Sequence, residues 1–218
     1  MDRLSSLWLS LGVAFAGETK EAADPEGTLI ETLSVLQEER KFLGLILAWI
    51  QEYGDFIHVE RIKALAKNLS SLELAWLGGI ALHVVGIDKR WNIIVQFAED
   101  YKKKQRRRFK MSKLDELAAK RKGYDRAFKK FGLTIQTVQM AKKTKLLKKS
   151  HTLKRHPWLK LRALFGANWR ADIAWMMIKR PNQTPYQVAK YLGCNVETAY
   201  RNWSSLKDVN APALLNVA

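Results

Sequence analysis

The sequence predicts an all-α protein, and three observations carry that prediction. Apolar residues recur at i, i+3 and i+4 in one segment after another, no run of alternating β-branched residues occurs, and capping residues or glycine and proline breaks separate the segments.

Leu7 to Phe15 is largely apolar, and Ala14-Phe15-Ala16 has the form of a signal-peptidase site. Asp2 leaves the preceding stretch only weakly basic, so this segment is expected as an N-terminal helix docked on the core. After an acidic loop over residues 18–27, Thr28 can cap a helix running toward Arg40, with Leu29, Leu33 and Leu36 on one face. Phe42–Tyr53 follows as a second apolar helix, broken by Gly54-Asp55. Ile57, Ile62, Leu65 and Leu69 mark a third, and Ser70/Ser71 opens a fourth over 72–85 that contains Gly78-Gly79. That glycine pair has no strand before it and no phosphate-loop lysine, so a helix break or a close helix crossing is expected rather than a nucleotide site. Trp91, Ile94, Val95 and Phe97 place another helix over 90–101. Further helices are expected near 113–121, 124–131, 135–149, 158–165 and 168–179. The apolar runs are too short to cross a bilayer, which needs about 20 residues.

The 218 residues are 47% apolar and include eight tryptophans, enough for one large domain or two small ones with real cores. The formal charge is +17. Between Tyr101 and Arg162 there are 23 Lys and Arg against 3 Asp and Glu, while the rest of the chain carries 15 against 18. A field so concentrated repels itself unless a polyanion neutralises it, which points to nucleic acid. Phosphate contacts are expected from Lys102, Lys103, Lys104, Arg106, Arg107, Arg108, Lys110, Lys148, Lys149, Lys154 and Arg155. The single cysteine, Cys194, excludes an intramolecular disulfide framework and suits a reducing compartment, so a cytoplasmic, nucleoid-associated location is expected.

The most informative stretch is Thr184 to Trp203. Thr184 caps a helix, Pro185 suits its first position, and Gln187 completes a capping box. Ala189 is small where two helices would cross, and Gly193 supplies the positive φ of a sharp turn. Asn195 then caps a second helix with Val196, Ala199, Trp203 and Leu206 as its apolar stripe, a helix over 168–179 preceding the pair. From Arg170 to Leu206 these residues resemble the helix-turn-helix of bacterial transcription regulators. The twelve residues after Leu206 include Pro212 and leave too little for a two-stranded wing, so a plain trihelical form is expected. The resemblance implies a DNA-binding protein that reads bases with Asn195, Glu197, Thr198, Arg201, Asn202 and Ser205. Arg201 suits guanine O6/N7 and Asn202 suits adenine N6/N7.

A fainter echo lies upstream, where Gly132-Leu133-Thr134-Ile135-Gln136-Thr137-Val138 parallels Gly193 to Ala199. As a second unit it would present Thr134, Gln136, Thr137, Gln139, Lys142 and Lys143. The alternative is an ordinary turn between basic helices. His58, His83, His151 and His156 show no metal spacing, and no nucleophile and base are placed together, so neither a cofactor, a metal nor an enzymatic activity is expected. The tryptophans fall on apolar stripes, and Trp158, beside the basic region, could stack on single-stranded bases.

These readings combine into a helical module at 1–100 for assembly or partner binding, a basic helical region at 101–162, and a helix-turn-helix domain at 163–218. The expected function is transcriptional regulation in a bacterium or phage through sequence-specific duplex binding, with a homodimer through the first module. RNA binding by the same basic surface, or an adaptor or antitoxin role, are the alternatives.

Overall fold

A computed structural model of the protein describes residues 3–19, 21–105 and 109–209, without the side chains of Lys104 and Gln105. Among the described residues the chain is all-helical. Its elements are α1 (Arg3–Ser10), α2 (Pro25–Leu33), α3 (Lys41–Tyr53), α4 (Val59–Ala66), α5 (Ser71–Val84), α6 (Asn92–Gln105), α7 (Lys113–Lys122), α8 (Arg126–Lys130), α9 (Lys149–Arg155), α10 (Pro157–Phe165), α11 (Trp169–Lys179), α12 (Pro185–Leu192) and α13 (Val196–Asp208). The described residues also contain two isolated β-bridges, Val13 with Leu146 and Tyr124 with Gln136. No helix among these residues is long and apolar enough to cross a membrane.

Several helix starts follow from local chemistry. Asp24 rather than Thr28 caps α2, through Gly27 N at 2.9 Å, with Pro25 at the first helical position and Thr28 buried inside. Ser70 and Glu73 close a capping box on α5.

Gly78 and Gly79 do not break α5. They flatten it, so that the rings of Phe131 and Phe128 lie on its backbone. A β-carbon at Gly79 would sit 2.1 Å from Phe128 Cδ1, and one at Gly78 would sit 2.8 Å from Phe131 Cδ1. The basic segment is thereby built into the first core, which runs from Trp8 through Trp91 to Phe128, Phe131, Leu133 and Ile135. Residues on both sides of the expected boundary near residue 101 thus share one core. A second core begins at Trp158 and includes Ile173, Met176, Val188, Leu192, Ala199 and Leu206.

The expected helix over 135–149 does not form. Residues 135–142 run as an extended strap over the first core, with Ile135 buried. Val138 N donates to Asp125 Oδ2 at 3.0 Å, Thr137 N to the Gly123 carbonyl at 3.0 Å and Ala141 N to the Gly44 carbonyl at 3.0 Å. These tertiary bonds satisfy backbone groups that a helix would have paired internally. With no α-helix there and a single 3-10 turn at Lys143–Lys145, the residues Thr134, Gln136, Thr137, Gln139, Lys142 and Lys143 cannot form a second reading helix.

Two of the three acids in the basic segment serve to dock it. Arg40 chelates Asp115, with Nε 3.3 Å from Oδ1 and Nη2 2.9 Å from Oδ2, while its guanidinium lies 4.5 Å from the centre of the Trp76 ring. Asp125 is buried and accepts from His83, Ala127 N and Val138 N. Burial alone would raise its carboxyl, but His83 and the Val138 and Phe128 amides hold it below the usual carboxylate range. With these two carboxylates paired inward, Glu116 is the one exposed acid of the segment.

Arg162 runs the other way. It leaves the surface and forms the centre that joins the two cores. Its Nη1 and Nη2 lie 2.6 and 2.7 Å from the two oxygens of Glu26 on α2, and Nη2 and Nε lie 2.6 and 2.9 Å from Asp172 Oδ1 on α11. Asp172 also accepts from Trp158 Nε1 at 2.7 Å and pairs with His58 Nδ1 at 2.7 Å. Arg61 adds a contact to Glu26 at 2.9 Å, and the two guanidinium carbons lie 5.0 and 5.3 Å from the Trp158 ring centre. Burial would raise the Asp172 carboxyl. Arg162, the His58 hydrogen bond and Arg61 instead hold it far below the ordinary range.

Candidate nucleic-acid interface

The helices α11, α12 and α13 pack on one another around Ile173, Met176, Val188, Ala189, Leu192, Ala199 and Leu206. Their ends match the local sequence closely. Asn168 Oδ1 accepts Ala171 N at 3.1 Å to start α11. Thr184 Oγ1 accepts Gln187 N at 3.3 Å, and Gln187 Oε1 accepts Thr184 N at 2.9 Å, which completes the capping box of α12. Gly193 takes φ +81°, and its amide and that of Cys194 both donate to the Ala189 carbonyl, at 2.8 and 3.2 Å. Asn195 Oδ1 accepts Glu197 N at 3.0 Å and opens α13.

This turn is also seated against α4. A β-carbon at Gly193 would lie 3.3 Å from Ala64 Cβ on α4, and the Arg162–Asp172 pair holds α11 from below. The orientation of α13 relative to the basic segment is thus fixed by buried groups.

The outward face of α13 differs from the expected one by a small rotation. Ala199 and Leu206 are buried and Trp203 is half-buried, but Val196 stands exposed instead of completing the stripe. Asn202 is turned inward, its Nδ2 donating to the Thr198 carbonyl at 2.8 Å. Ser205 Oγ accepts from Arg170 Nη1 at 3.3 Å, and Thr198 is half-buried. Thr198, Asn202 and Ser205 therefore do not stand on the exposed face, which Glu197, Tyr200, Arg201 and Ser204 share at i, i+3, i+4 and i+7. Asn195, Glu197 and Arg201 are exposed as expected, while Asn195 spends its carbonyl oxygen on the cap. Tyr200 and Ser204 are additions to the expected set. Their signal is present in the spacing, since they follow Glu197 by one and two turns.

Of the basic residues, Lys102, Lys103, Lys110, Lys148, Lys154 and Arg155 are exposed. Lys102 donates to the Lys130 carbonyl, and Lys103 lies 3.4 Å from Asp100. Lys149 is half-buried, 3.8 Å from Asp55 and over the Phe56 ring. The side chain of Lys104, and Arg106, Arg107 and Arg108, lie outside the described residues.

Trp158 is only 2% exposed and stacks on Trp175 with ring centres 5.9 Å apart, so it offers no face to a base. Trp169 and Trp203 are half-buried and the other tryptophans are buried. His83 borders a cavity of about 530 Å³ between α3, α5 and Gly166-Ala167, where its Nε2 lies 3.0 Å from Asp125. No group of three His, Cys, Asp or Glu among the described residues could hold a metal ion. No protein-family model, curated protein or solved structure matches the chain.

Proposed function

We propose that the protein binds double-stranded DNA with sequence preference and acts as a transcriptional regulator. In this reading α11–α13 work as a helix-turn-helix, with α13 in the major groove. The observation that carries it is the exposed face of α13, where Glu197, Tyr200, Arg201 and Ser204 stand free on a helix whose other side is locked into a core. Arg201 supplies the bidentate donor that suits guanine, and Glu197 accepts from cytosine N4. The exposed lysines and Arg155 add contacts to phosphate that carry affinity without sequence preference.

Two features favour a duplex over single-stranded RNA. Six of the eight tryptophans are buried and Trp169 and Trp203 are half-buried, and the described residues form no sheet that could carry stacking aromatics. The test is selection from a random duplex library at near-physiological salt, in competition with structured and single-stranded RNA. A recovered duplex consensus supports the reading. Enrichment of RNA, or salt-sensitive binding without a consensus, overturns it.

A further inference from the structure

We propose that Val196 and Tyr200 form a receptor for the 5-methyl group of a pyrimidine, thymine in unmodified DNA, next to the base that Arg201 contacts. The inference rests on the reading of α13 as the groove-facing helix.

Val196 is the first residue of α13 and Tyr200 follows one turn later, so the two side chains are neighbours on the helix surface. They are 39% and 53% exposed. Tyr191, by contrast, carries the Arg180 guanidinium 4.6 Å from its ring centre. A valine at an exposed helix start contributes neither to the core beneath it nor to the cap, which Asn195 supplies.

What could cover this spot is limited by its size and its borders. Two side chains make a patch far smaller than a stable protein interface requires, and Glu197 and Arg201 flank it with charge. A small apolar group set among hydrogen-bonding groups fits that description. The thymine methyl is that feature in the major groove, beside the O4 acceptor. Because uracil lacks the methyl, the same pair would favour DNA over RNA of equal sequence. A 5-methylcytosine at that position would satisfy the receptor too.

The test uses the full-length protein and its selected duplex, with each thymine replaced singly by deoxyuracil. The chemical change is made in the DNA, so folding of the protein is not at issue. One thymine should prove sensitive, with affinity falling about fourfold, as expected for one buried methyl group. Val196→Ala and Tyr200→Ala should bind the thymine and deoxyuracil duplexes nearly equally. Wild-type affinity unchanged at every replacement overturns the inference, as does undiminished sensitivity in both variants or a consensus without thymine. If Arg201→Ala still relaxes the consensus in those cases, α13 remains the reading helix and only the methyl receptor falls. Failure to recover any consensus removes both.

Discussion

Arg162 and Asp172 face each other inside the protein, Nη2 2.6 Å from Oδ1, with neither side chain exposed to solvent. A pair this deep is costly to desolvate and is maintained only because Glu26, His58 and Trp158 complete its hydrogen bonding. Removing one partner leaves a charge stranded. Asp172→Ala should destabilise the protein by about 3–5 kcal/mol in urea denaturation. Because the pair joins both cores, tryptophan fluorescence and helical circular dichroism should move together to the lower midpoint. A loss confined to a minor part of either signal would show that the centre does not couple them.

The contact between Gly79 and Phe128 makes a second, independent demand. A methyl group on Gly79 cannot be accommodated without moving Phe128, and overpacking of this kind costs about 1–3 kcal/mol even though alanine favours helix. Gly79→Ala should therefore lower the urea midpoint, and pairing it with Phe128→Leu should recover part of the loss, a non-additivity expected of residues in contact. Stabilisation by Gly79→Ala alone would mean that α8 does not lie on α5.

Acid should weaken the protein through His156. Burial pushes its imidazole down to about 4, against the hydrogen bond to the Ala23 carbonyl and with help from the Arg162 charge. The neutral ring is held at both nitrogens, Nε2 toward Ala23 O at 3.0 Å and Nδ1 accepting from Leu159 N at 3.2 Å. The folded value lies below the unfolded one near 6.5, so between them the unfolded chain binds the extra proton. The contribution is complete above pH 6.5 and is lost as pH falls toward 4, by about 3 kcal/mol over that window. Urea midpoints from pH 7 to 4 should show this slope, and His156→Gln, which keeps one donor and one acceptor, should flatten it. Equal slopes for both proteins would contradict the assignment.

The exposed cations predict a salt dependence. Replacing Lys148, Lys154 and Arg155 together by alanine should weaken binding to all duplexes alike. The slope of log affinity against log salt should fall by about 0.9 for each phosphate that is no longer neutralised. An unchanged slope would place these residues away from the DNA.

What the sequence makes legible here is what a few neighbouring residues decide. Thr184 with Gln187, Gly193 and Asn195 each act within four positions, and each behaves as its residue type requires. The strap is the opposite case. Residues 135–149 are rich in lysine and read as helix, but the Asp125 carboxylate, the Gly44 carbonyl and the burial of Ile135 hold the first half extended, through partners that local sequence does not reveal. Arg162 is equally opaque. It closes the basic stretch of the sequence, and its partner Glu26 is 136 positions away. The face of α13 is legible only to within a small rotation, because a stripe of four apolar residues leaves that rotation undetermined. The exposure of Val196 and the inward bonds of Asn202 and Ser205 decide it.

The most direct measurement compares Arg201→Ala with wild type on the selected duplex and on a scrambled duplex of equal length at one salt concentration. If α13 reads bases, the substitution costs about 1–3 kcal/mol on the selected site and little on the scrambled one. An equal loss on both would reduce Arg201 to a phosphate contact and contradict base reading by α13.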